Sequence, residues 1–148
     1  MAGWNYFVRT GGRCREGFSD ARTVDICFRF VGYHNLLKGR KECSSRKSSI
    51  IAIRSDEERD LLERLMFSLF ESSSKSPQNK PYIQGHWNGS DWVLDDGKPL
   101  EYTIQWIPRT DLSHVMYNDN LRYFPSRDKI GFCSGVLSRP IFCAYDIV

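Results

Sequence analysis

Apolar residues recur at helical spacing in the first half of the chain. Five of them fall on one face of a single predicted helix: Leu61, Leu62, Leu65, Met66 and Leu69. Ser55 and the acidic run Asp56-Glu57-Glu58 form a capping box before this face, and the acidic side chains suit the positive end of the helix dipole. The pattern predicts a helix that begins after Ser55 and ends near Phe70.

Shorter apolar runs on both sides of this helix have the length of β-strands. We predict strands at Trp4–Val8, Cys27–Val31, Ile50–Ile53, Gly131–Leu137 and Pro140–Tyr145. A second, shorter helix is predicted from His34 to Glu42, although its Gly39 is a poor residue for a helix interior. Helices and short strands in this arrangement indicate an α+β fold.

The stretch from Tyr82 to Trp106 is the richest in aromatic residues and turn signals. It holds three of the four tryptophans, so we expect it to supply much of the aromatic area of the core. Asn88-Gly89-Ser90-Asp91 and Asp95-Asp96-Gly97-Lys98-Pro99 are strong turn sequences between its apolar residues. The stretch therefore predicts two short strands joined by tight turns.

The segment 107–129 that follows has little periodicity and many polar residues. Loops of this length inside a domain are usually functional or disordered. We therefore predict one long loop region over 107–129, and it is the first place to look for a ligand site.

Two sets of residues resemble the C-type lectin-like domain in its long form. The first is Tyr82-Ile83-Gln84-Gly85, then the Trp-x-x-x-Asp-Gly-x-x-Leu-x-Tyr segment within Asp91–Tyr102, and a closing Trp106. The second is the Cys-x-x-Gly-aromatic segment Cys14–Phe18, with Cys27 at the start of a strand. The resemblance implies two helices packed on small antiparallel β-sheets, with the long loop region on one side.

The chain has five cysteines, and none has the C-x-x-C spacing of a zinc ribbon or a thioredoxin-type site. The residues alone leave open five thiols in a reducing compartment or two bridges in an oxidising one. The resemblance implies the second, with Cys14 bonded to Cys27 and Cys43 to Cys143. It places the partner of Cys133 in the turn before Cys143, which holds no cysteine. Cys133 is therefore expected to be free and partly buried, or bonded to another chain in a homodimer.

Length and charge limit the class of protein. A length of 148 residues fits one domain, which we place at 1–148 with an N-terminal strand or tail at 1–13. The formal net charge of +3 is too small to argue for a nucleic-acid partner. The sequence has no apolar run of about 20 residues for a membrane span and no signal-peptide pattern. The three histidines stand at no recognisable catalytic spacing, so we do not expect an enzyme.

The resemblance also bears on calcium. Sugar-binding members of the family hold the ion through a Glu-Pro-Asn or Gln-Pro-Asp triplet in the long loop and a Trp-Asn-Asp triplet before the last cysteines. Here Pro108 stands in Ile107-Pro108-Arg109, and no Asn or Asp lies between Cys133 and Cys143. No cofactor is therefore expected. Since calcium takes oxygen ligands, a non-standard site would have to use Asp111, Asn118, Asp119, Asn120 and Asp128.

The resemblance implies an extracellular recognition module, as a secreted protein or a receptor ectodomain. We predict that it binds a protein partner without calcium through the long loop region, because Tyr and Arg commonly anchor interfaces. The candidate ligand-binding residues are Arg109, His114, Tyr117, Arg122, Tyr123 and Arg127. The other interpretation of Tyr117 and Tyr123 is packing against the body of the domain, and Phe124 is expected to be buried.

A second function remains open, that of a carbohydrate-binding lectin, with or without the non-standard calcium site. Asn88-Gly89-Ser90 is an N-glycosylation sequon on a predicted turn. In an extracellular domain Asn88 is expected to carry a glycan, which would make the protein a glycoprotein.

Overall fold

The computed structural model describes residues 8–10, 12–70 and 79–147. Within these ranges two α-helices pack on two small antiparallel sheets, so the predicted α+β class is confirmed. The strand predicted at Trp4–Val8 lies, apart from Val8, outside the described residues.

The first sheet joins the beginning of the domain to its end. Its five strands have the order β1-β2-β3-β9-β4. Their bounds are Val8–Thr10 for β1, Ser19–Ala21 for β2, Ile26–His34 for β3, Ser49–Ile50 for β4 and Arg139–Asp146 for β9. Strands β3 and β9 pair along nearly their whole length, from Ile26 opposite Asp146 to His34 opposite Arg139. This long pairing forms the base of the domain.

The second sheet contains the strands before and after the long loop. Its strand order is β6-β5-β7-β8. The bounds are Tyr82–Trp87 for β5, Trp92–Val93 for β6, Asn120–Phe124 for β7 and Lys129–Cys133 for β8. Strand β7 corrects the predicted loop over 107–129, because pairing with β5 and β8 makes 120–124 a central strand. The long loop therefore ends at Asp119.

The two helices begin where their caps place them. The first, α1, runs Leu36–Ser44, two residues later than predicted, because β3 continues to His34 and Asn35 caps the helix through the Lys38 amide at 2.9 Å. The second, α2, runs Asp56–Phe70, and the Ser55 hydroxyl accepts from the Glu58 amide at 3.2 Å. Its predicted apolar face is buried except for Leu69, which is 47% exposed.

Gly39 explains how α1 can lie close to the first sheet. A Cβ at this position would stand 2.6 Å from Cδ1 of Ile141 on β9. The residue that weakens the helix prediction therefore allows close packing of helix against sheet, and any larger side chain would push the two apart.

Two disulfides close the base of the domain, and they are the pairs that the resemblance implied. Cys14 is bonded to Cys27, and Cys43 on α1 is bonded to Cys143 on β9. The core around them differs from expectation in one respect. Tyr82, Tyr123 and Phe142 are its largest fully buried side chains, whereas the tryptophans at 87, 92 and 106 are only partly buried.

The predicted strand at Ile50–Ile53 is also shorter in the structure. Only Ile50 belongs to β4, while Ile51 and Ile53 are buried in the core without being part of a strand. The reason lies in the neighbouring sheet, because the Ile51 carbonyl accepts from the Gln84 amide of β5 at 2.9 Å.

Candidate functional site

The loop at 107–119 is fixed to the second sheet at both ends. At its start the Ile107 amide donates to the Ile130 carbonyl of β8 at 2.8 Å. At its end the Asn118 amide donates to the Trp87 carbonyl at 2.8 Å, and the Trp87 amide donates to the Asp119 carbonyl at 2.9 Å. The loop at 107–119 is therefore held by β8 at its start and by β5 at its end.

Acidic side chains organise the turns inside this loop. Asp111 caps a short 3-10 helix, Leu112–His114, since its Oδ1 accepts from the Ser113 amide at 3.0 Å and from the Ser113 hydroxyl at 2.6 Å. These hydrogen bonds lower the pKa of Asp111 below its usual value. Asp119 acts in the same way, because its Oδ2 accepts from the Met116 amide at 2.9 Å. The two carboxylates shape the loop from within.

The loop presents three large apolar side chains to solvent. Leu112, Met116 and Tyr117 are 48%, 70% and 71% exposed, and we call these three residues the loop tip. An exposed group of large apolar side chains on a protein surface often marks an interaction site. The hydrogen bonds at Asp111 and Asp119 hold the loop tip in place before any ligand arrives.

The structure separates the six predicted ligand-binding residues. Arg109, His114 and Tyr117 are exposed on the loop, and Arg127 is exposed in the turn between β7 and β8. Arg122 lies on β7 and is half-buried.

Tyr123 is not a surface residue, so its assignment as a ligand-binding candidate is wrong. Its side chain is fully buried, and its hydroxyl lies 2.8 Å from Glu63 Oε1 and 3.0 Å from Asp128 Oδ1. Burial, reinforced by the two carboxylates, raises the pKa of Tyr123. The alternation of β7 directs Leu121 and Tyr123 into the core. Phe124 is buried, as expected.

Solved structures of other proteins have the same arrangement of helices and sheets. SPL-1 in complex with GlcNAc is 17% identical, with a TM-score of 0.69 over 91% of this chain and 96% of its own. The Ca²⁺-independent C-type lectin SPL-2 from Saxidomus purpuratus is 17% identical, with a TM-score of 0.68 over 90% and 94%. Human lithostathine is 14% identical, with a TM-score of 0.70 over 90% and 99%.

The chain has the C-type lectin-like fold. No protein-family model matches the sequence, and no curated protein matches it. At these identities the likeness establishes the fold alone, so the function has to be argued from the residues of the site. No helix in the described part of the chain is long and apolar enough to cross a bilayer.

Four of the five candidate calcium ligands already contact other groups of the protein. Asp111 and Asp119 bond to amides of their own loop. Asn120 accepts from Arg40 Nη2 at 3.3 Å, and Asp128 lies beside Tyr123. Within residues 8–10, 12–70 and 79–147, no three His, Cys, Asp or Glu side chains form a group that could hold a metal ion.

A polar cleft beside α1 is a feature that sequence reasoning missed. Its volume is about 620 Å³, and we call it the α1 cleft. Arg40 and Asp95 form an ion pair of 3.5 Å in its lining, and Nδ1 of His86 is buried without a hydrogen-bond partner. The remaining lining residues are Leu37, Lys41, Ser44, Ser48, Ser49, Ile50, Asn118 and Asn120. These residues come from separate segments, so no local motif could have predicted the cleft.

Cys133 forms no disulfide, and burial raises the pKa of its thiol. The residue directly opposite Cys133 in the ladder between β7 and β8 is Asn120. A bridging cysteine would therefore stand on β7.

Asn88 lies exposed on the turn between β5 and β6. Its Oδ1 accepts from the amides of Ser90 at 2.9 Å and Asp91 at 2.8 Å. The sequon thus occupies a surface turn, which is the setting that N-glycosylation requires.

Proposed function

We propose that this domain is an extracellular recognition module that binds a protein partner, without calcium, through the long loop region. The observation that carries the proposal is the exposed loop tip formed by Leu112, Met116 and Tyr117. Aromatic residues and Met are enriched in protein interfaces relative to other surface residues. The proposed contact surface lies on the loop at 107–119.

The geometry of the loop favours tight binding by this surface. Ordering a loop on association costs free energy, and a loop already held in its bound shape avoids that cost. Here Asp119 and Trp87 fix the segment that carries Met116 and Tyr117. The apolar side chains can therefore be buried against a partner with little loss of backbone freedom.

The test begins with a screen of the domain, displayed as a multimer, against a panel of purified secreted and cell-surface ectodomains in EDTA. The affinity of each hit is then measured for the Met116→Ser, Tyr117→Ser double variant. We expect a loss of about 30-fold or more, because interface anchors of this kind contribute on the order of 2 kcal/mol. The matched control is Phe67→Ser, since Phe67 is an exposed aromatic residue on α2.

Two results would argue against this function. One is a partner whose affinity the loop-tip variant leaves unchanged while Phe67→Ser weakens it. The other is a partner that binds only when calcium is present.

Glycan recognition is the second candidate function, and a specific observation favours it. SPL-1 is a C-type lectin-like neighbour solved with GlcNAc, and SPL-2 is described as Ca²⁺-independent. In this chain the lining of the α1 cleft includes side chains that can donate to and accept from sugar hydroxyl groups, among them Arg40, Asp95 and Asn118.

A glycan array probed in EDTA tests this alternative. If the α1 cleft binds a sugar, His86→Ala and Arg40→Ala should each remove the signal while the loop-tip variant keeps it. The reverse pattern, or a blank array, would exclude the cleft as a sugar site.

The extracellular location is part of the proposal, and the two disulfides and the exposed sequon at Asn88 support it. Expression through the secretory pathway of a cell should give a protein whose mass falls on treatment with peptide N-glycosidase. Asn88→Gln should abolish that change in mass.

A further inference from the structure

Arg122 is a half-buried positive charge on the second sheet. It stands on β7 between Tyr82 of β5 and Gly131 of β8. Its Nε is buried and has no hydrogen-bond partner. Among the residues that the structure describes, no carboxylate lies within ion-pair distance of its guanidinium. Burying a charge in this way is costly unless something pairs with it.

The surroundings of Arg122 add positive charge. The Cζ of Arg122 and the Nζ of Lys80 lie 4.9 Å and 5.4 Å from the centroid of the same ring, that of Phe124. Burial lowers the pKa of Arg122, and the nearby Arg139 lowers it further. Burial also lowers the pKa of Lys80, as do Arg122, Arg139 and Arg127. These pKa effects show that Lys80, Arg122 and Arg139 lie close enough to one another for their positive charges to interact.

Arg122 also lines a small cleft beside β8. The cleft has a volume of about 200 Å³, and its other walls come from the loop at 107–111 and from Gly131 and Phe132 of β8. Gly131 lies directly opposite Arg122, and a Cβ there would stand 2.7 Å from Cε1 of Phe124. Glycine at this position therefore allows the Phe124 ring to pack closely against β8. The space is several times the roughly 30 Å³ of a water molecule.

A second arginine belongs to the lining of the same cleft. Arg109 lies in the lining, is exposed, and has a left-handed backbone with φ of 69°. The cleft also contains the carboxylate of Asp111, which already accepts two hydrogen bonds from Ser113 and lies 3.5 Å from His114 Nδ1. Its charge is therefore engaged within the loop. Neither arginine has an ion pair with a carboxylate of the described residues.

We propose that this cleft, which we call the Arg122 cleft, binds a compact oxyanion, that is, a carboxylate, sulfate or phosphate group, between the guanidinium groups of Arg122 and Arg109. An oxyanion accepts from guanidinium N–H groups in the planar geometry that arginine offers. The proposal goes beyond the function proposed above, because it does not require the loop tip.

Nuclear magnetic resonance of the arginine Nε–Hε groups tests the site directly. The probes are sodium sulfate and sodium acetate, each titrated against sodium chloride at constant ionic strength. We expect saturable shifts of the Arg122 and Arg109 signals, and the preferred probe will distinguish a tetrahedral from a planar anion. Shifts of the Arg122 signal that are linear, and no larger than those of the exposed Arg22, would overturn the proposal.

Variants separate binding from general salt effects. Arg109→Gln should weaken sulfate binding about tenfold, as expected for the loss of one charged hydrogen bond, without disturbing the core, since Arg109 is exposed. The matched control is Arg22→Gln, on the exposed turn between β2 and β3. Sulfate stabilises most proteins by exclusion from their surface. The rise in melting temperature in sulfate should therefore exceed the rise in chloride in the wild type and in Arg22→Gln.

In Arg109→Gln the difference in melting temperature between sulfate and chloride should be smaller. An equal difference in the wild type, Arg22→Gln and Arg109→Gln would contradict the proposed oxyanion site. Arg122→Gln is the stronger test where it folds. The Met116→Ser, Tyr117→Ser double variant should bind sulfate as the wild type does, so this proposal and the protein-partner proposal can fail separately.

Discussion

The base of the domain and the loop at 107–119 are held together in different ways. At the base, β3 pairs with β9, and the bond between Cys43 and Cys143 ties α1 to the last strand. Its apolar side chains, such as Ile141 and Phe142, are fully buried. In the loop, turn hydrogen bonds fix the backbone, and the apolar side chains remain in solvent.

This difference separates the side chains that stabilise the fold from those that are available to bind a ligand. A buried side chain contributes through burial and close packing, so its removal destabilises the whole domain. An exposed side chain contributes little to folding and remains available for a ligand. The same residue type can therefore have opposite roles at the two places, and the predictions below use pairs of variants to test this.

The largest effect is expected at the base. Replacing both Cys43 and Cys143 by Ser opens a loop with a sequence separation of 100 residues, which the chain-entropy model values at about 4.7 kcal/mol. Replacing Cys14 and Cys27, with a separation of 13, should cost about 3 kcal/mol. Urea unfolding under non-reducing conditions measures both. A larger loss for the Cys14, Cys27 variant would contradict the ranking.

Tyr123 and Tyr117 sharpen the contrast within one segment. Tyr123→Ala removes a fully buried ring and should destabilise the domain by about 4 kcal/mol. Tyr117→Ala removes an exposed ring and should change the stability by less than about 0.5 kcal/mol. Thermal or urea unfolding distinguishes them. Equal losses would mean that the loop is part of the core.

The helices and strands could be predicted from the sequence where the local pattern and the long-range packing favour the same structure. The helical spacing around Leu65 and the cap at Ser55 set α2 within a residue of its observed start. Strand β7 was missed because Asn120 and Arg122 alternate with Leu121 and Tyr123 inside a polar segment. That alternation was the available signal, and it predicts a strand with one buried face.

The candidate site was less predictable because it depends on contacts between distant segments. His86, Arg40 and Asp95 meet only after the second sheet has packed against α1. The position of Arg122 opposite Gly131 follows from the pairing of β7 with β8. Exposure at Met116 and burial at Tyr123 also follow from the pairing of β7, which no single-residue property encodes.

A third disulfide can be added where the register allows it. Asn120 stands directly opposite Cys133, and facing residues in an antiparallel pair have the Cα separation that a bridge requires. Asn120→Cys should therefore form a bond with Cys133, visible by mass spectrometry as the loss of two hydrogens. A loop of about 15 residues would contribute about 3 kcal/mol.

Asn120→Ser is the matched control for this bond, since it also loses the contact with Arg40 but cannot form a bridge. Two free thiols in Asn120→Cys under oxidising conditions would show that β7 and β8 are not paired in this register.

The smallest expected effect concerns calcium. A site with a dissociation constant of 1 mM would stabilise the domain by about 1 kcal/mol at 5 mM calcium, which for a chain of this size is a rise of roughly 2–4 °C in melting temperature. We expect no such rise relative to EDTA, because the carboxylates of Asp111 and Asp119 accept hydrogen bonds from their own loop, and Asn120 and Asp128 accept from Arg40 and Tyr123. Magnesium at the same concentration controls for ionic strength.

A saturable rise in melting temperature with calcium that Asp119→Asn abolishes would mean that the loop rearranges around an ion. It would make the lectin function the leading one. The loop would then be organised by its ligand, and its present hydrogen bonds would describe only the calcium-free state.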